Sequence, residues 1–127
     1  MMTLLQELGG RDAVEAVVAT FYEKVLADPR LAPFFRNVSM SRMHAHQVDF
    51  FCAVLGGADL YRGRNMVAAH AGMDITDAHF DAVAGHLVAT LEQLGVPEAA
   101  RAKVIALVAP LRSQIVNQRS GLRAAGQ

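Results

Sequence analysis

At 127 residues, with 53% hydrophobic and 19% charged side chains and twelve basic residues balancing twelve acidic ones, the chain reads as one soluble globular domain without a basic footprint for nucleic acid or anionic lipid. A lone cysteine, Cys52, excludes an internal disulfide and any cysteine-rich zinc or iron–sulfur centre, and its place beside Phe51 reads as a packed, inert thiol. No apolar run reaches the ~20 residues of a membrane span, and Gln6, Glu7, Gly9 and Gly10 interrupt any signal-peptide core, so a reducing cytoplasm is the expected setting.

In chain order, Thr3 to Leu8 predicts a short helical turn stopped by Gly9-Gly10. Arg11 to Ala27 predicts a helix whose inner face carries Val14, Val17, Val18, Phe21, Val25 and Leu26, ended by Asp28-Pro29 because proline disfavours helical conformation in the residue before it. Leu31 to Phe35 is a short turn with two aromatics. Ser39 or Ser41 caps the next helix, which runs to Leu55 and stops at Gly56-Gly57. An irregular connection leads to a short helix from about Asn65 to Ala71. Thr76 and Asp77 then start a helix expected to bury Phe80, Val83, Ala84, Leu87, Val88, Leu91 and Leu94. After Gly95-Val-Pro97 comes the last helix, burying Val104, Leu107, Val108, Leu111 and Ile115, with Pro110 expected to kink it. The pattern is all-α. A single domain spans residues 1–127, of which 119–127 are an expected mobile tail.

Chemistry concentrates on the helix ending at Leu55. Met43, His46, Gln47, Phe50, Phe51 and Val54 recur at helical spacing and share one face. A buried His and Gln must each be given a hydrogen-bond partner. Downstream, His70 also lies among small apolar residues. Two imidazoles between apolar walls point to a flat, metal-bearing ligand, and haem iron takes a neutral imidazole as axial ligand. His70 is one candidate ligand, with its second ring nitrogen able to bond the Met66 carbonyl. His46 either coordinates the iron opposite His70 or swings outward to a haem carboxylate. Tyr22 and Gln47 are candidate donors to a bound gas, or else a core tyrosine and a structural amide. Arg42 and Arg64 could pair with haem propionates, or remain ordinary solvated charges. Phe34, Phe35, Phe50 and Phe51 are core aromatics of the kind that also wall a porphyrin. His44 falls off the stripe, and His79 and His86 read as structural or exposed.

The ordered set Gly9-Gly10, Phe21-Tyr22 through Asp28-Pro29, Phe34-Phe35, His46-Gln47 through Phe50-Phe51, Gly56-Gly57, Tyr61 through Met66, His70, Ile75 through Phe80 and Gly95-Val-Pro97 resembles the truncated haemoglobins of group I (N). The resemblance implies a truncated globin fold, a two-over-two helical sandwich around haem. It implies His70 as proximal ligand, Phe35 stacked on the porphyrin, Phe34, Met43, Phe50, Phe51, Arg64 and Met66 around the pocket, and Tyr22, Met43 and Gln47 on the distal side. Phe51 matches a position that gates an apolar gas tunnel in some members. His46 matches a position where certain members place a second axial histidine. Since no histidine follows His86, the haem b is expected to be non-covalent.

The function so implied is reversible binding of O2, NO and CO, in oxygen binding or transport or in nitric oxide detoxification. As an enzyme it would be a nitric oxide dioxygenase drawing electrons from an external reductase, since no flavin or nicotinamide motif is visible. The alternative is a bis-histidyl haem protein for electron transfer or redox and gas sensing. A cofactor-free helical binding module would explain the stripes but not His46, Gln47 and His70 together. The chain is expected to be a monomer.

Overall fold

The computed structural model describes residues 3–56 and 74–116. Arg64, Met66, His70, the short helix expected around them and the tail from residue 119 lie outside the described residues. The described elements are α1 (Leu4–Leu8), α2 (Arg11–Ala27), a 3-10 turn (Ala32–Phe35), α3 (Met40–Leu55), α4 (Asp77–Gln93), α5 (Glu98–Val108), a second 3-10 turn (Ala109–Leu111) and α6 (Arg112–Ile115). No strand occurs among them, and none of their helices is long and apolar enough to cross a membrane.

Local chemistry sets the boundaries. Thr3 accepts from the Gln6 backbone while the Gln6 side chain returns a bond to Thr3, a reciprocal cap at the start of α1. The end of α1 needs a left-handed residue, and Gly9 supplies it at φ 112°. A Cβ there would also stand 3.1 Å from that of Ala13. Ser39 rather than Ser41 caps α3. Pro110 interrupts the last helix as a 3-10 turn between α5 and α6, the form taken by the expected kink.

Helix α2 is the hub, packed on α3 along one side and α4 along another. Along α2, the partner of Lys24 is Gln93 and that of Asp28 is His86, so α2 and α4 run antiparallel. Arg101 reaches Glu92 and Arg112 reaches both Asp77 and Asp81, which makes α4 antiparallel to α5 and α6 as well. Two helix pairs thus face each other over one core of Val14, Val18, Phe21, Val25, Leu31, Val48, Leu55, Leu87, Leu91 and Val104. Each fully buried Val or Leu contributes roughly 1.5–3 kcal/mol relative to exposure. Leu26 and Leu94, assigned to buried stripes by periodicity, are instead 40% and 42% exposed, each near the C-terminal end of its helix.

One expectation for α3 shifts. Its deepest residues are Val48, Val54 and Leu55, and the expected stripe members Met43, Gln47, Phe50 and Phe51 are only half-buried. His46 is exposed, whereas His44, expected off the stripe, is half-buried. Helices α1, α2 and α5 pack on α3, where Val48 and Leu55 join the main core. The stripe merged two surfaces: an edge facing the core, and a flank with Met43, Gln47 and Phe50 that protein only partly covers.

Candidate functional site

Three elements deliver the site. Tyr22 leaves α2 one position after the buried Phe21, so its ring lies at the rim of the core, edge-on to Phe21 at 5.0 Å between centroids. Phe35, at the end of the first 3-10 turn, meets Tyr22 edge-on at 5.7 Å and 80°. Phe34 turns the other way, onto His79 of α4 at 4.9 Å and 83°. On α3, Phe50 and Phe51 stack edge to face at 5.7 Å. Tyr22, Phe34, Phe35 and Phe51 all pack against the main core, forming an aromatic wall contributed by three elements.

Two polar groups come from the same helices as these aromatics, Tyr22 from α2 and Gln47 from α3. The Tyr22 hydroxyl has no hydrogen-bond partner among the described residues, although burial of the phenol pushes its pKa well above the ordinary tyrosine value. It therefore remains a neutral O–H donor throughout the physiological range. Gln47, one turn beyond Met43, donates from Nε2 to the Met43 Sδ at 3.9 Å. A thioether is a weak acceptor, so this amide keeps most of its hydrogen-bonding capacity. Buried polar groups in folded proteins are nearly always satisfied, so a desolvated phenol without a partner is the mark of a ligand position. Aromatic walls and neutral donors suit a flat apolar group presenting a weakly basic ligand, which is the chemistry of haem with a bound gas.

His46 and Arg42 are exposed on α3. His70, Arg64 and Met66, the other predicted pocket residues, lie outside the described segments. No group of three metal-ligating side chains occurs among the described residues.

A family model for bacterial-like globins matches residues 3–117. The chain belongs to that family. Within it, this globin is similar to the group 1 truncated haemoglobins: it is 46% identical to that of Tetrahymena pyriformis over 97 residues, covering 76% of this chain and 80% of the relative. It is 44% identical to that of Synechocystis over 124 residues, covering 93% of this chain and 100% of the relative. Among solved structures, the Fe(III) truncated haemoglobin of Tetrahymena pyriformis matches with TM-score 0.82 at 40% identity, over 91% of this globin and 98% of that chain. The 2/2 haemoglobin of Synechococcus, in the cyanomet state with covalently attached haem, matches with TM-score 0.84 at 40% identity, over 92% and 100% of the two chains. This globin has the two-over-two fold, its α2–α3 and α4–α5 pairs forming the sandwich. Haem-based gas binding is the chemistry of the family.

Sequence reasoning missed one cluster. Asp28 was legible only as the residue before Pro29, yet its side chain is 7% exposed and accepts from Arg30 Nε, Arg30 Nη2, the Arg30 backbone N–H and His86 Nε2 at 2.8–3.0 Å. The Arg30 guanidinium, followed by His86 and the Arg30 amide, holds this carboxyl far below the usual carboxylate range. Nothing local announces the His86 partner, which lies 58 positions away.

Proposed function

We propose that this globin binds haem b non-covalently through His70 and takes up diatomic gases on the side bearing Tyr22 and Gln47. The Tyr22 hydroxyl, which has no partner among the described residues, carries the reading, since a phenol held in its protonated form by burial is the donor that a polarised gas molecule needs. Haem, when bound, supplies the iron that takes up the gas. Phe35 and Phe34 from the turn, with Met43, Phe50 and Phe51 from α3, wall the ring and exclude water. Arg64 and Met66, also expected in the pocket from the sequence, lie outside the described residues. Tyr22 and Gln47 donate toward the gas. No histidine follows His86, so no side chain late in the sequence offers an imidazole to a haem vinyl, unlike the covalent haem of the Synechococcus neighbour.

The physiological gas is proposed to be O2, with NO as a co-substrate where an external reductase supplies electrons. Absorption spectra of the reduced protein with and without carbon monoxide test the reading. Expected are a Soret band that carbon monoxide shifts, loss of that band in His70→Ala with recovery on added imidazole, and haem extracted intact by acidified organic solvent. A colourless protein that refuses added hemin would overturn it. The bis-histidyl alternative requires His46 to leave water for the iron, and it predicts low-spin ferrous absorption that His46→Leu abolishes.

A further inference from the structure

Two histidines that the pocket does not use sit seven positions apart on α4, which places them on one face about 10 Å apart along the axis. Both reach the stretch from Asp28 to Phe35 that follows α2 and includes the first 3-10 turn. At the segment's start, His86 bonds the Asp28 carboxylate at 2.8 Å. The Asp28 carbonyl in turn accepts from the N–H groups of Leu31 and Ala32, the first bonds of the turn. At its end, the His79 ring abuts Phe34, the neighbour of Phe35, which lies against Tyr22. The His79 Nδ1 meanwhile accepts from the Thr76 N–H, which fixes its ring plane.

We propose that His86, with His79 as the second point, is a positioning residue for gas binding: a clasp from α4 that fixes the Asp28–Phe35 segment and, through Phe35, the orientation of the Tyr22 hydroxyl. This inference rests on the haem reading above. His79 meets Phe34 and His86 meets Asp28, so the clasp reaches Tyr22 through the turn and Phe35. Arg30 and then His86 hold the Asp28 carboxyl well below the usual carboxylate range, which makes it the acceptor for the His86 ring. Arg30 bonds the same carboxylate, and Lys24 lines the same surface groove as His86.

A double-mutant cycle on the haem-loaded protein tests it, with the oxygen dissociation rate as one readout. The other is the 13Cζ resonance of Tyr22 in the carbon monoxide form, assigned by Tyr22→Phe. His86→Leu is expected to raise the dissociation rate about three- to tenfold and to shift the Tyr22 resonance, while His86→Gln, which still donates to Asp28, restores both. In a Tyr22→Phe background, His86→Leu should change the rate by less than about twofold. Equal acceleration in both backgrounds, or no change in either, would overturn the clasp while leaving the haem reading intact. Should His86→Leu fail to yield folded protein, Asp28→Asn enters the cycle in its place with the same expectations. Failure of the parent protein to bind haem would instead refute the underlying reading.

Discussion

Replacing Tyr22 with Phe removes one oxygen atom and leaves the ring stacked between Phe21 and Phe35. Its two expected effects have opposite signs. In the gas-free protein the hydroxyl is half-buried with no partner among the described residues, so its deletion relieves a desolvation cost of about 1 kcal/mol. For a domain of this size that raises the melting temperature by about 4 °C. In the gas-bound protein the same deletion removes a hydrogen bond of about 1–1.5 kcal/mol, and oxygen leaves roughly tenfold faster. Thermal unfolding of the gas-free protein measures the first effect and stopped-flow displacement of oxygen by carbon monoxide the second. A variant that melts lower and releases oxygen at the parental rate would show that the hydroxyl serves the fold, and would sink the argument. The alkaline limb adds a third signature. Tyrosine in the unfolded chain ionises near pH 10, and burial holds Tyr22 above that. Above about pH 10 the unfolded chain releases this proton while the folded protein keeps it, so stability falls as the pH climbs toward the folded value, a loss Tyr22→Phe should lack.

At the acid end the sign reverses: the Asp28 carboxyl is depressed by Arg30 and His86, so its contribution is present above the unfolded value near 3.9 and is lost as pH falls below it. Asp28→Asn should therefore flatten the dependence of urea midpoint on pH below about pH 4, and an unchanged slope would show that other carboxylates govern acid unfolding. Thr76→Ala removes one half of the cap in which His79 Nδ1 and Thr76 Oγ1 exchange bonds with each other's backbone N–H, and is expected to cost about 1 kcal/mol in denaturant unfolding, with Thr76→Ser nearly neutral.

Much of this globin was legible in order of residues alone. Helix boundaries followed from caps and breakers that act within one turn: Thr3, Gly9, Ser39, Thr76 and Gly95 sit where expected because each meets its backbone partner three or four positions away. The aromatic pair Phe34-Phe35 and the Tyr22 position were visible as residue types at telling places. What periodicity could not supply was the rotation of α3, because both the core edge and the half-open flank of that helix are lined by apolar residues, and hydrophobicity does not distinguish being covered by protein from being covered by a ligand.

The sequence by itself determined that the described residues are helical, where most of their helices start and stop, and which residue types could serve a haem site, since those properties arise from interactions spanning a few residues. Only the tertiary structure decided that Val48 and Leu55 face the core, that Tyr22 lies against Phe35 with no hydroxyl partner among the described residues, and that Asp28 is buried against His86. Those outcomes depend on how α2, α3 and α4 pack, and packing joins residues that no local rule connects.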